Sequence, residues 1–226
     1  MKKSALPAVL FTAAASLVAM ALVETLWQPG YWLKSACKIL LFGGIPALFF
    51  FRRRTPFGNC LKWPAKRNLW MPILLGIGTF FFCVGGYFLL RPWLSWEDIS
   101  SALGQQAGVT QENFLWVGLY IAFVNSFLEE FFFRGFLFFT LLQALPLGWA
   151  YLISALAFSI YHIFLLTGWF SWWMFLLILL GLAAAGMLFQ ALDQSSGSIY
   201  PSWLVHLGAN LGINAVGLVL FGILSL

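Results

Sequence analysis

The sequence predicts an all-α, polytopic membrane fold: a bundle of about seven transmembrane helices, or eight if a long segment is broken, with a polar site inside it. Three observations carry this. Of 226 residues, 62% are hydrophobic and only 8% are charged, whereas soluble domains carry about 25% charged residues. The apolar residues fall into runs of about 20, the length that crosses ~30 Å of hydrocarbon. The basic residues gather between those runs, which is the topology signal of a membrane protein. For the same reason the net charge of +5 does not point to nucleic acid. Cys37, Cys60 and Cys83 are odd in number and widely spaced, so neither a disulfide framework nor a cysteine zinc site follows.

The first span is expected over about Ala5 to Val23. Its basic start and Ala19-Met20-Ala21 look like a cleavable signal, but the run is long enough to cross the bilayer and reads as an uncleaved span. A second span runs from about Trp32 to Phe51, with Lys34 and Lys38 near its start and able to snorkel. The loop 52–68 follows, with Arg52, Arg53, Arg54, Lys62, Lys66 and Arg67 and no acid, which places it in the cytoplasm. A third span covers about Leu69 to Leu90. The connection 91–112 holds Glu97, Asp98 and Glu112 against Arg91, reads as irregular and suits the outer side.

The fourth segment, about Asn113 to Ala144, would reach ~45 Å as one helix and must tilt, bend or project. Pro146 and Gly148 turn the chain into a fifth span, about Trp149 to Thr167. A sixth runs from Trp169 to Leu192 and a last from about Tyr200 to Leu224. This puts the amino terminus inside and the carboxyl terminus outside a cell membrane. The chain divides into N-terminal spans, 1–112, and a core, 113–226, integrated in one membrane domain. No internal repeat and no soluble domain is visible. The twelve tryptophans fit interfacial belts.

The chemistry lies in Asn125-Ser-Phe-Leu-Glu129-Glu130-Phe-Phe-Phe-Arg134. Ionisable groups at bilayer depth are costly, so three together suggest a function; the plainer alternative is an ion pair that fixes packing. Helical phase pairs Glu130 with Arg134, four residues on, and leaves Glu129 about 140° from the arginine, without a local cation. Glu129 is thereby a candidate general base. His162 lies as many residues after the Leu145–Pro146 turn as Glu129 lies before it, so both sit ~25 Å from the turn. His206 and Asn210 share a face of the last span, while Gly208 and Gly212 on the other face permit close packing. Glu129, His162, His206 and Asn210 are expected to form one polar cluster on three helices, opening toward the cytoplasmic half. Carboxylate plus imidazole can activate water, and an amide can stabilise an oxyanion.

Glu129-Glu130-x-x-x-Arg134, Phe158-x-x-x-His162 and His206-x-x-x-Asn210 resemble, in order and helical placement, the three motifs of the CPBP family. These are intramembrane proteases that include type II CAAX prenyl endopeptidases and bacterial Abi (bacteriocin self-immunity) proteins. The resemblance covers about Phe114 to Leu224. It implies that Glu129 activates water with help from His162, that His206 and Asn210 support the site and the oxyanion, and that Glu130 and Arg134 play supporting roles. An asparagine found in some members one turn after the middle histidine is Leu166 here. His-Glu-x-x-His is absent. The metal question stays open: Glu129, His162 and His206 could bind one divalent metal such as zinc, and a metal-free glutamate mechanism uses the same residues.

The resulting expectation is an intramembrane endopeptidase acting near the cytoplasmic surface on a membrane-associated or lipid-modified peptide. Its partners are membrane lipid and a peptide or membrane-protein substrate, with no nucleic acid. Two other readings stand beside it: a proton-relay transporter, against which no inverted repeat is seen, and a non-enzymatic immunity or scaffold protein.

Overall fold

A computed structural model describes residues 6–53, 59–93, 96, 104, 108–166 and 171–225. All regular structure among them is helical. Seven helices are long and apolar enough to cross a membrane: α1 (Leu6–Trp27), α2 (Tyr31–Arg52), α3 (Lys66–Leu90), α4 (Phe114–Leu141), α5 (Leu147–Leu166), α6 (Trp172–Ser196) and α7 (Tyr200–Leu220). The seven-span expectation holds, with ends shifted by a few residues. Much of the irregular connection expected at 91–112, part of the basic loop and the expected start of the sixth span at Trp169 lie outside the described residues.

The helices alternate in direction, giving the bundle two distinct ends. At one, the basic loop meets the α6–α7 turn: Ile199 N donates to Cys60 O at 3.0 Å, and Trp63 stacks against Tyr200 with ring centroids 4.4 Å apart. The other end carries the α1–α2 turn, the start of α4 and the ends of α5 and α7. This geometry decides the orientation of the site.

Helix α4 runs through the middle of the bundle. Its lower half, Phe131 to Leu141, is buried almost throughout, against Val9, Ala13 and Met20 of α1, Phe42 and Phe50 of α2, and Ala150, Phe158 and Tyr161 of α5. Phe42 stacks on Phe132 at 4.2 Å and meets Phe133 and Tyr161 edge-on. Aromatic rings fill this core because edge-to-face and offset contacts add about 0.5–1.5 kcal/mol per pair beyond burial. In lipid, close packing rather than water exclusion drives helix association.

Helix α7 docks on α3 through glycine, as expected for Gly208 and Gly212. A Cβ on Gly208 would strike the backbone of Gly76, and one on Gly212 would lie 2.8 Å from Phe80 O. Backbone-to-backbone contact of this kind needs the side chain removed. At the start of α7, Asp193 of α6 accepts from Ser202 N at 2.9 Å and from Ser202 Oγ at 2.7 Å. This satisfies a first-turn donor that the helix cannot satisfy internally. It also fixes the phase of α7 one turn before His206.

Candidate active site

Glu129 and Glu130 end a short α-helical stretch, Ser126–Glu130, between π-helical stretches Tyr120–Asn125 and Phe131–Phe138. Such widened turns often lie at functional sites. Glu129 is 2% exposed; Glu130 and Arg134 are fully buried. Arg134 Nη1 donates to Glu130 Oε1 at 3.2 Å, the expected pair. The guanidinium lies 4.2 Å from the Phe158 ring centroid and 5.0 Å from that of Phe189. Cation–π attraction strengthens in such desolvated settings. Arg134 thus ties α4 to α5 and α6 and holds Glu130 in one orientation.

Glu130 has a second partner. His206 Nδ1 lies 2.7 Å from the same Glu130 Oε1, so the imidazole donates there and turns Nε2 toward Glu129 Oε2, 3.7 Å away. On α5, His162 Nδ1 lies 2.7 Å from Phe158 O, and its Nε2 lies 3.8 Å from the same Glu129 Oε2. The ring sits where α5 breaks: the helix runs regularly to Tyr161 and resumes at Ile163. Two δ nitrogens bonded elsewhere leave two ε nitrogens facing one carboxylate oxygen. Glu129 Oε2 itself has no hydrogen-bond partner among the described residues. Separations of 3.7 and 3.8 Å are too long for direct bonds and suit an intervening water.

The expectation that Glu129 has no nearby cation is corrected. Lys38 Nζ of α2 donates to Glu129 Oε1 at 2.5 Å. It also contacts Asn125 Oδ1, and Asn125 Nδ2 donates to Glu129 Oε1 at 3.0 Å. Lys38 does not snorkel: it is 5% exposed and lies 4.8 Å from the Tyr161 ring centroid. Lys34 is likewise turned inward, paired with Glu24 at 3.0 Å. A lysine so close to the start of a span reads as an interfacial residue until the packing of α2 on α4 is known. The sequence signal that could have found it was the need of a buried carboxylate for a counterion. The cluster therefore stands on α2, α4, α5 and α7, one helix more than expected.

A cavity of about 440 Å³ has Glu129, His162, His206, Lys38 and Asn125 in its wall, together with Asn210. Asn210 Nδ2 donates to Ile121 O at 3.1 Å; its second amide hydrogen is left for a ligand. All the expected cluster residues thus border one cavity. Its opening lies at one end of the bundle. The outer lining comes from Glu24, Thr25, Gln28 and Tyr31 at the α1–α2 turn, Tyr120 of α4 and Leu166 at the end of α5, all at the end away from the basic loop. From the level of Glu129 and His206, α4 and α7 continue ~21–22 Å toward that end, and the described part of α5 reaches ~6 Å beyond His162.

Two imidazoles and a carboxylate are suitable donors for a zinc-like ion, and their δ nitrogens are fixed by outer acceptors as in metal-binding histidines. The arrangement does not fit one: among the described residues no group of three His, Cys, Asp or Glu side chains is placed to hold a metal ion. A metal on Glu129 would also sit against the Lys38 ammonium.

Residues 111–212 match the family model described as type II CAAX prenyl endopeptidase Rce1-like. The match spans a little under half of the chain, which over those residues is similar to the CAAX protease family. The matched segment contains Glu129, Glu130, Arg134, His162, His206 and Asn210, and excludes Lys38. No curated protein and no solved structure matches the chain. The CAAX protease family implies hydrolase activity in general, and with seven apolar helices the chain is a multi-pass membrane protein.

Proposed function

We propose that the protein is an intramembrane endopeptidase in which Glu129 activates water against a peptide bond of a membrane-associated or lipid-modified substrate. The observation that carries this reading is Glu129 Oε2, a buried carboxylate oxygen with no hydrogen-bond partner among the described residues, facing two imidazole ε nitrogens at the wall of a cavity. Water in that gap donates one hydrogen to Glu129 Oε2 and is oriented by His162 and His206. Glu129 takes the proton as the water oxygen bonds to the scissile carbonyl carbon. The resulting oxyanion is stabilised by donors bordering the cavity, the Lys38 ammonium and the free amide hydrogen of Asn210. Collapse breaks the C–N bond, and Glu129 returns the proton to the departing amine. Glu130 and Arg134 act through His206: they fix its tautomer and ring plane rather than touching substrate.

The test is cleavage of an apolar, lipid-modified peptide by the reconstituted protein, compared with Glu129→Gln. The amide keeps the shape and removes the base, so the rate is expected to fall by about 10²–10⁴-fold. An unchanged rate overturns the role of Glu129. If no peptide is cut while Glu129→Gln abolishes proton flux, the relay reading replaces the protease.

A further inference from the structure

We infer that the active-site cavity opens on the extracytoplasmic face of the membrane and receives peptide from that side. This rests on the protease reading for what enters the cavity, but not for where the cavity opens. Three independent observations converge on it.

The first is charge. In the sequence, Lys2 and Lys3 precede α1, and Arg52, Arg53, Arg54, Lys62, Lys66 and Arg67 fall at the α2–α3 connection, eight basic residues in two segments. No acidic residue lies in the sequence of these segments. In the sequence of the α3–α4 connection, Glu97, Asp98 and Glu112 stand against Arg91 alone. Lys34 and Lys38 do not offset this, because each is buried and paired with a carboxylate. An excess of Lys and Arg in short connections marks the cytoplasmic side.

The second is the cavity. Thr25, Gln28, Tyr31, Tyr120 and Leu166 line its outer part, all at the end away from the basic loop. The third is the opposite route, which is packed shut. Between Glu129 and the basic end, Phe132, Phe133, Phe136, Leu137, Phe138, Leu141 and Ile199 are each 0–1% exposed. The Cys60–Ile199 backbone bond closes the end beneath them. A cytosolic carboxyl terminus would approach the closed end.

The lining also limits what can enter. Glu24 is paired with Lys34, and the remaining outer wall is aromatic, aliphatic or neutral polar. That composition suits an extended, predominantly apolar peptide rather than a phosphate or a strongly charged ligand. A volume of about 440 Å³ admits a few residues and no folded domain. The substrate class is therefore the stretch of a membrane-anchored polypeptide that leaves the bilayer on the extracytoplasmic side.

The test begins with single cysteines in the full chain, labelled in intact cells with a membrane-impermeant maleimide. Thr25→Cys, at the mouth, and Gln111→Cys, on the same end away from it, are expected to label before lysis at least about tenfold more than Ala65→Cys, at the basic end, as accessible thiols react and sequestered ones do not. Ala65→Cys labels fully once the membrane is opened. Labelling of Ala65→Cys alone in intact cells, or equal labelling at both ends, overturns the inference. This readout needs no catalysis, so it stands apart from the Glu129→Gln assay. A second arm supplies the lipid-modified peptide to one or the other side of proteoliposomes whose orientation the labels report. Cleavage from the Thr25 side supports the inference; cleavage confined to the Ala65 side overturns it and leaves the protease reading intact.

Discussion

Replacing Lys38 with Met leaves Glu129, 2% exposed, without the ammonium that sits 2.5 Å from its Oε1. At that separation and an effective dielectric constant of about 20, the gross attraction is about 6–7 kcal/mol. Desolvation of both groups offsets much of it, but that offset is not recovered when only one charge is removed. Breaking a buried pair from one side therefore costs about 3–5 kcal/mol. Asn125 keeps its bond to the same oxygen, which puts the expected loss for Lys38→Met at the lower end, about 3 kcal/mol. Glu129→Gln in the same chain removes the stranded charge, so the double variant should be more stable than Lys38→Met alone. The assay is a double-mutant cycle on reversible unfolding in detergent, with the four proteins at one lipid-to-detergent ratio. Additive effects, with coupling below about 0.5 kcal/mol, would refute the argument, because a contact of this kind cannot be energetically silent. In the cleavage assay Lys38→Met should lose about 10²–10³-fold in kcat, as expected when a fixed charge stabilising the transition state is removed.

Arg134→Met should cost about 3–5 kcal/mol, because it strands Glu130 beside His206 in a fully buried site; a thermal melt within error of the unmodified protein would show that Glu130 is held by other means. Gly208→Val should abolish folded yield in size-exclusion chromatography, since its Cβ meets the Gly76 backbone, whereas Gly85→Val, with open space at its Cβ, should elute normally; equal behaviour of the two would refute the α3–α7 contact. Burial pushes the Cys60 thiol up to about 11, so it is protonated below that pH and its alkylation should be negligible at pH 8 and rise toward pH 11. Rapid stoichiometric modification at pH 8, read by mass spectrometry, would contradict that environment.

Much of the site was legible because it depends on periodicity. The four-residue step from Glu130 to Arg134 holds despite the π-helical stretch that follows Glu130. The equal distances of Glu129 and His162 from the α4–α5 turn brought their side chains to 3.8 Å. The glycines of α7 packed as expected because a missing Cβ has the same consequence wherever a helix meets another. What escaped depends on lateral neighbours. Nothing in the local pattern around Lys38 indicates that α2 lies against α4, so a buried counterion read as a snorkelling residue. The Glu130–His206 bond is similar: His206 was expected beside Glu129, and its δ nitrogen is instead held by the neighbouring carboxylate.

The direction of the cavity marks the same boundary most clearly. Sequence alone determined seven apolar helices, the basic loop between the second and third, and the order of the three polar motifs, because each depends on composition or helical phase along one segment. Only the tertiary structure decided which end of the bundle is open. That outcome depends on how the helices pack past the level of Glu129 and on the phenylalanines of α4 filling the space toward the basic loop. Hydropathy gives the lengths of the walls, but only packing shows which residues line the cavity and where the core is filled.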